Sequence, residues 1–372
     1  MTPRPRWIAV VGWFAGSRIV IAALGIIGVA TFATLLDGQP VGILDNLSAF
    51  NPQTVWHKWD SLWYERIVQH GYGYQLDTAR GQALGGYFPL YPLTVALLLR
   101  LAPFLSFFWV ATIFSNVVTL VALWLVARYL VDRDDLTGRV LAIIMTSAGS
   151  FYLSIPYAES LFLLLVAGTL IATRRRRYEL AALLAGLSAT TRVHGLALVA
   201  VPVIACWLDG RLASRARYMR AAVALALFAA PFLIYLAFLA QVQGSWSAFI
   251  ARQELWGNPS PYPLHALTGF FEFPRRISNW LHGGFWFLYV GLLIRYWRKL
   301  PVGDVLFCAG ALLISTQYEA FHGTYRYVVP LLPLTFALAE DDARVRHTLI
   351  GINLVFGVLM LLAFVTNSRL TV

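Results

Sequence analysis

"WIAVVGWFAGSRIVIAALGIIGVATFAT", residues 7–34, is an apolar run that carries one charged side chain, Arg18. A helix needs about 20 apolar residues to cross a bilayer. Comparable runs recur along nearly the whole chain, in which 59% of the 372 residues are hydrophobic and 13% are charged. Soluble domains carry roughly 25% charged residues. The composition therefore predicts an all-α polytopic membrane protein and excludes a soluble enzyme on a single anchor.

The apolar runs define about eleven predicted membrane spans, most of them separated by short connections. They lie near residues 7–34, 108–131, 139–153, 158–173, 178–191, 194–208, 218–241, 282–298, 303–317, 326–340 and 347–365. Two connections are long, at about 35–107 and 242–281. No internal repeat or low-complexity linker interrupts the pattern, which predicts one integral-membrane domain over residues 1–372.

Basic residues are distributed unevenly between the connections. Most of the 29 lysines and arginines fall in alternate connections, one of which holds the unbroken run of arginines at 174–177. Short loops rich in lysine and arginine stay in the cytoplasm. We therefore predict a cytoplasmic N-terminus, with both long connections on the outer face of the plasma membrane. The net charge of +11 follows from this orientation, and no nucleic-acid partner is predicted.

The segment "YFPLYPLTVALLLRLAPF", residues 87–104, leaves an alternative topology open. A span here would move the N-terminus outside and the acid Asp60 into the cytoplasm. We favour a segment that lies in the plane of the membrane, because its three prolines interrupt helical hydrogen bonding near both ends. Arg100 is also costly inside hydrocarbon but stable at an interface.

Three tryptophans at spacings of three and four residues predict a helix over residues 56–68, in the first long connection. Trp56, Trp59 and Trp63 fall on one stripe of this helix, and Asp60 falls on the neighbouring stripe. Tryptophan favours the membrane–water boundary, so the helix is predicted to lie on the outer surface and to present Asp60 sideways. Local spacing alone favours a structural role for Asp60 over catalysis, either as a helix cap or as the ion-pair partner of Lys58 or Arg66.

Most other polar residues at the ends of spans map to the same outer side as Asp60. They are Tyr157, Glu159, Thr191, Arg192, His194, Glu319, His322, Tyr325 and Arg326. Ionisable groups at span ends often serve only as interfacial anchors. A carboxylate beside several arginines, however, suits a site for a phosphate-bearing substrate, because the guanidinium fork matches phosphate oxygens.

Five blocks of sequence carry a resemblance to a known family. They are "WHKWDSLWYERIVQHGY" (56–72), "YFPLYPL" (87–93), "PYAESLFLLL" (156–165), "LLAGLSATTRVHGLAL" (183–198) and "RYVVPLLPL" (326–334). In this order they resemble the PIG-V-type mannosyltransferases, relatives of the enzyme that adds the second mannose to the glycosylphosphatidylinositol anchor. The resemblance covers most of the chain, up to about residue 335. The low lysine content, with only Lys58 and Lys299, is typical of a prokaryotic member.

The resemblance implies a fold and a reaction. The family belongs to the GT-C superfamily of polytopic glycosyltransferases, so we expect a GT-C-like helical bundle with in-plane helices in the first outer loop. The implied donor is a polyprenyl-phosphate sugar, with mannose as the sugar, and the implied acceptor is a lipid or glycan. The catalytic acid of the first outer loop maps onto Asp60.

These expectations assign a role to each candidate site residue. Asp60 is predicted to act as general base in a one-step transfer with inversion. Arg192 and Arg326, helped by His194 and His322, are predicted to bind the donor phosphate. Supporting roles fall to His57, Glu159, Tyr64, Arg275 and Arg276. No cofactor is predicted, and no metal, because the acids of the first long connection are well separated in sequence.

A polytopic transporter or flippase for lipids or sugars is the main alternative function, and a non-catalytic membrane scaffold is a third. Transporters place ionisable groups near the bilayer midplane and often contain repeats, whereas here such groups gather at one face. Arg18 alone lies deep within a predicted span. Pairing with an acid of another span is favoured there over contact with a lipid phosphate.

Overall fold

Helices make up the regular secondary structure in the described part of this chain. A computed structural model describes residues 6–32, 50–73, 84–247, 249, 251, 264–272, 277–317, 320–366 and 368. Within these residues there are sixteen α-helices and no strand. In chain order they are α1 Arg6–Phe32, α2 Pro52–Trp56, α3 Asp60–His70, α4 Leu90–Leu101, α5 Phe107–Leu125, α6 Asp134–Thr146, α7 Glu159–Arg174, α8 Tyr178–Ala189, α9 Ala200–Trp207, α10 Ser214–Gln243, α11 His265–Glu272, α12 Ile277–Tyr296, α13 Val302–Ile314, α14 Thr324–Tyr327, α15 Leu332–Ala339 and α16 Ala343–Val365.

Five of the described helical segments are long and apolar enough to cross a membrane. They are Arg6–Thr31, Phe107–Leu130, Ser214–Gln243, Ile277–Tyr296 and Ala343–Val365. Four shorter apolar segments accompany them, at Leu90–Leu101, Tyr178–Ala189, Val193–Trp207 and Val302–Ile314. Lengths and composition together support a multi-pass membrane protein, while the count of about eleven spans stays a prediction.

Every predicted apolar run contains a helix, but two of the runs are interrupted. The run 326–340 was expected as one span and instead forms α14 and α15. The interruption falls at Pro330, which lacks a backbone N–H, and α15 restarts with Pro333 in its first turn. The run 139–153 ends its α-helix at Thr146 and continues as a 3₁₀ turn at Ser150–Leu153.

The predicted continuous helix over 56–68 is wrong. The helix is interrupted between α2 and α3. Trp59 in this interval adopts a φ of 54°, which a right-handed helix cannot contain. The three tryptophans therefore share no stripe. Trp56 instead stacks on Phe364 of α16, with ring centroids 6.3 Å apart. Asp60 becomes the first residue of α3 and is presented at a helix end, rather than along its side.

Helix α4 occupies the segment that was predicted to lie in the membrane plane. Its 12 residues would extend about 18 Å at 1.5 Å per residue, whereas a hydrocarbon core is about 30 Å thick. This helix is too short to cross alone. Its orientation relative to the membrane stays a prediction.

The packing of α7 and α8 brings distant polar residues to one end of the bundle. α7 packs between α5 and α8, and α10 packs along α8. α7 and α8 are joined by the short connection Arg175–Arg177 and pack side by side as antiparallel neighbours. Glu159 at the start of α7 and Arg192, just after α8, therefore lie at the same end.

The other end of α7 lies on a side of the bundle that is rich in arginine. We call it the arginine-rich side, and it is formed by residues 128–139, 174–177, 211–220, 295–299 and 344–346. These connections contact one another through exposed or half-buried side chains. Arg174 donates to the carbonyl of Leu130 at 2.8 Å, and Arg295 pairs with Asp341 at 2.8 Å. The sixteen residues of α7 separate this side from Glu159 by roughly 23 Å.

Arg18 is held by neutral acceptors, and not by the acid that the sequence favoured. Its Nε donates to Oδ1 of Asn116 at 2.7 Å, and its Nη2 donates to the carbonyl of Leu153 at 3.0 Å. Its guanidinium also lies 4.4 Å from the centroid of the Phe14 ring. Arg18 thus ties α1 to α5 and to the 3₁₀ turn that follows α6.

Candidate active site

Asp60 forms an ion pair with an arginine that is 266 residues away in sequence. Nη2 of Arg326 donates to Oδ2 of Asp60 at 2.6 Å. The side chain of Arg326 is 8% exposed, whereas that of Asp60 is 27% exposed. The carboxylate is therefore the accessible member of the pair, while the guanidinium is enclosed by protein.

Glu159 joins this pair to a second arginine. Its Oε1 accepts from Nε of Arg326 at 2.9 Å and from Nη1 of Arg192 at 2.7 Å. Asp60, Arg326, Glu159 and Arg192 thus form one continuous array of alternating charge, which we call the charged network. Its formal charge is zero, which is the arrangement that four buried or half-buried ions require.

The network retains unused hydrogen-bonding capacity. Oε2 of Glu159 is buried and has no hydrogen-bond partner among the described residues. The same holds for Oγ1 of Thr324, two residues before Arg326. Buried polar atoms without partners are rare, and at a site they mark places where water or a ligand completes the structure.

Aromatic rings and one glycine form a cradle around Arg326. Its guanidinium lies 4.5 Å from the ring centroid of Tyr152 and 5.2 Å from that of Tyr157. Gly149 packs against the backbone that carries the arginine. A Cβ at this position would lie 2.4 Å from the carbonyl oxygen of Tyr325 and 2.8 Å from Cα of Arg326. Any side chain larger than hydrogen would displace Arg326.

Asp60 is ionised at neutral pH. Burial favours the neutral acid, but the charge and the hydrogen bond of Arg326 outweigh burial, with further contributions from Arg192 and His322. The pKa of Asp60 is therefore held below its usual value. The pKa of His322 is lowered to about 4, by burial and then by the positive charge of Arg326, against an opposing effect of Asp60. His322 is therefore neutral at pH 7.

The family model described as Mannosyltransferase (PIG-V) matches residues 31–367, a range that includes every member of the charged network. The chain belongs to the PIG-V mannosyltransferase family. Membership supports a membrane glycosyltransferase and points to mannose as the sugar. The matched range extends past residue 335, where the resemblance of the sequence blocks ended. No curated protein and no solved structure matches the chain.

His194 is a buried neighbour of the charged network of this PIG-V family member. It is 2% exposed and stacks on Tyr327, with ring centroids 4.1 Å apart. The guanidinium of Arg192 lies 5.1 Å from the centroid of the same tyrosine ring. Neither ring nitrogen of His194 has a hydrogen-bond partner within the part of the chain that the structure describes.

The predicted supporting residues fall in different places. Nε2 of His57 lies 3.3 Å from the carbonyl of Ser61 and 3.4 Å from the carboxylate of Glu65, so this ring is directed toward other partners than Asp60. Tyr64 is buried and packs on Tyr91, with ring centroids 4.9 Å apart. Arg275 and Arg276 lie outside the described residues, as does Glu319.

Two residues that the sequence did not single out, Gly149 and Tyr152, contribute to the site of this mannosyltransferase relative. Lys58 was predicted only as a possible ion-pair partner of Asp60, but its Nζ donates to the carbonyl of Val365 at 2.7 Å. Gly149 and Tyr152 sat inside a predicted span, where a small residue and an aromatic residue are unremarkable. In the structure the α-helix of this span ends at Thr146, with Ser147 as its C-terminal cap, and the apolar pattern of the run did not predict this end.

The described part of the PIG-V family member contains no group of three or more histidine, cysteine, aspartate or glutamate residues arranged to hold a metal. Its site chemistry is that of one accessible carboxylate, Asp60, beside the buried guanidinium of Arg326 and the half-buried guanidinium of Arg192. Such a set can place a proton acceptor and a phosphate-binding group within a few ångströms of each other.

Proposed function

We propose that this protein transfers mannose from a polyprenyl-phosphate donor to a hydroxyl of a lipid or glycan acceptor. The proposal is supported above all by the direct contact of Asp60 with Arg326. In a single displacement the general base must reach the acceptor hydroxyl while the phosphate ligand reaches the departing phosphate. Both lie close to the same anomeric carbon, so the two groups are expected within several ångströms of each other. The link from Arg326 through Glu159 to Arg192 adds a second cation to the same place.

Asp60 acts as the general base. It takes the proton of the acceptor hydroxyl while that oxygen attacks the anomeric carbon, and the bond from this carbon to the phosphate oxygen breaks. The phosphate leaves with the bonding electron pair. One displacement inverts the anomeric centre, and a phosphate leaving group needs no second carboxylic acid to protonate it.

Arg326 serves both the base and the leaving group. As the reaction proceeds, Asp60 loses its negative charge and the polyprenyl phosphate gains one. A guanidinium beside the carboxylate can follow this movement of charge without a large displacement, which is the condition for electrostatic stabilisation of a transition state. Arg192 provides a second phosphate contact, and His194 and His322 provide hydrogen bonds.

The remaining features complete the proposed enzyme. Residues 1–372 form one membrane domain of GT-C type with about eleven spans and an in-plane α4. The N-terminus is cytoplasmic and the site faces the outer side of the plasma membrane. Arg275 and Arg276 are assigned a supporting role in donor binding, and apolar helix faces bind the polyprenyl tail.

The test is transfer of labelled mannose from polyprenyl-phosphate mannose by the purified protein in lipid nanodiscs. Asp60→Asn should keep the fold but reduce turnover by roughly 10²-fold or more, because it removes the base. Asp135→Asn, an exposed acid on the arginine-rich side, is the matched control and should keep wild-type turnover. Full turnover by Asp60→Asn would remove Asp60 from this role. Absence of transfer with every polyprenyl-phosphate sugar, combined with substrate-dependent transport in vesicles, would favour the transporter.

A further inference from the structure

The residue before Asp60 has a backbone conformation that tryptophan rarely adopts. Trp59 has φ 54° and ψ −119°, and the N–H of Ser61 donates to the carbonyl of Lys58 at 3.2 Å. These angles at the second position define a β-turn of type II′, where glycine is the usual residue. A residue with a Cβ is strained there, and such strain persists only when the surroundings enforce it.

Lys58 connects this turn to two distant parts of the protein. Its carbonyl accepts from the hydroxyl of Tyr157 at 2.8 Å and from Oγ of Ser61 at 3.1 Å. Its Nζ donates to the carbonyl of Val365 at 2.7 Å. Val365 is the last residue of α16, where carbonyls lack intrahelical partners and the helix dipole favours a cation. Both ends of the Lys58 residue are therefore fixed.

The indole of Trp59 does not provide an alternative anchor through hydrogen bonding. Its Nε1 is buried without a hydrogen-bond partner among the described residues, so the ring contributes packing alone. The hydrogen bonds that enforce the strained turn come from Lys58 and its partners. Asp60 follows this turn directly, so the turn determines where the carboxylate points.

We propose that Lys58 is a positioning residue for Asp60. By bonding the C-terminal end of α16, it holds Trp59 in the strained conformation that directs the Asp60 carboxylate toward Arg326 and the acceptor. This proposal rests on the proposed function and adds to it a residue that touches neither substrate. Without the ammonium group of Lys58, the turn relaxes and the base moves, whereas Glu159, Arg192 and Arg326 keep their contacts.

The first test separates turnover from donor binding. Lys58→Met should lower kcat by about tenfold to a hundredfold, the cost of a misplaced catalytic group, and should leave the KM for polyprenyl-phosphate mannose within about twofold. Lys58→Arg, which keeps a charged donor, should restore most of kcat. Lys299→Met, at the only other lysine and on the arginine-rich side, is the control. An unchanged kcat in Lys58→Met, or a KM that rises as much as kcat falls, would overturn the proposal.

The second test addresses the strain itself and does not depend on the stability of Lys58→Met. Trp59→Gly and Trp59→Ala delete the same indole, but only glycine adopts this φ and ψ without strain. If the turn positions the base, Trp59→Gly should retain at least about threefold more kcat than Trp59→Ala at equal donor KM. Equal kcat values in the two variants would contradict the proposal.

Asp60→Asn distinguishes failure of this proposal from failure of the proposed function. Loss of transfer in Asp60→Asn, together with wild-type kcat in Lys58→Met, would reject the positioning role and keep Asp60 as the base. Wild-type transfer in Asp60→Asn would reject the base itself, and the positioning role with it. Tyr157→Phe combined with Lys58→Met should lower kcat by less than the product of the two single effects, because both residues hold the same turn.

Discussion

The charged network and the arginine-rich side use the same kinds of ion pair in opposite ways. In the network, the Glu159 and Arg326 side chains are 2% and 8% exposed and come from distant segments. On the arginine-rich side, Arg133 and Asp135 are two residues apart, with side chains 65% and 47% exposed. Exposed pairs contribute about 0–1 kcal/mol, whereas removal of one member of a buried pair costs roughly 3–5 kcal/mol. The difference means that loss of one charge should cost far more stability in the network than on the arginine-rich side.

The largest effect is expected from removal of Glu159, the acid between Arg192 and Arg326. Glu159→Gln should lower the free energy of unfolding by roughly 3–5 kcal/mol, because Arg192 then loses its ion-pair partner and Asp60 alone has to balance two neighbouring cations. Thermal unfolding in detergent measures this change. Asp135→Asn is the matched variant on the arginine-rich side, and its effect should stay below about 1 kcal/mol. Equal changes in the free energy of unfolding for the two variants would contradict the proposed difference between the two regions.

The second prediction uses two glycines, one from each region. Gly149→Ala should displace Arg326 and raise the donor KM by about tenfold, since the new Cβ overlaps the backbone of Tyr325 and Arg326. Gly138→Ala, in α6, meets no atom within 4 Å. It should leave KM unchanged and add about 0.5–1 kcal/mol of stability, because alanine favours helix. A normal donor KM in Gly149→Ala would show that Arg326 is not held where the donor binds.

The third prediction sharpens the comparison through pH. Because Arg326 holds the pKa of Asp60 below its usual value, wild-type kcat/KM should decline only at pH values below about 3.9, the usual aspartate pKa. Arg326→Gln removes that stabilisation of the carboxylate, while burial remains. The acidic limb of the kcat/KM profile should therefore shift to higher pH. Arg133→Gln should leave the pH profile unchanged. An unshifted acidic limb in Arg326→Gln would show that Arg326 does not lower the pKa of Asp60.

The smallest effect is expected at His322. Its folded pKa of about 4 lies below the unfolded value, so the unfolded chain binds the proton more readily. The stability contributed by neutral His322 is present above about pH 6.5 and is lost as pH falls toward 4, by about 2 kcal/mol at pH 5. His322→Gln should reduce the fall in unfolding temperature over this interval. His347→Gln, at an exposed position, should reproduce the wild-type fall, and identical curves for both variants would contradict the assignment.

The outer-face residues illustrate what a sequence can predict about such a site. Apolar periodicity indicated helices at every predicted run, and counting the connections put Asp60, Glu159, Arg192 and Arg326 on one side. The structure brings these four together. Their chemical roles remain predictions, because proximity follows from topology whereas a role requires a bound substrate.

The parts that sequence analysis missed depend on backbone geometry. The spacing of the tryptophans around Asp60 matches that of a helix, and no residue type in this segment predicts the positive φ of Trp59. Lys58 binds a main-chain carbonyl, and every residue offers such an acceptor, so the partner could not be identified from residue types. Arg18 was expected to require an acid, but amide and carbonyl oxygens satisfy it. Gly149 is needed because the backbone of Tyr325 and Arg326 approaches it closely. Hydrophobic periodicity does not reveal such a contact between distant segments.

The bond from Lys58 to Val365 joins positions 307 residues apart, nearly the full length of the chain. A ribosome releases the first of these residues long before the second. A nascent chain can thus insert its early helices and form much of its core while the turn that carries the acid stays incomplete. Under the proposed mechanism, transfer therefore requires α16, and a chain truncated before Val365 is expected to be inactive.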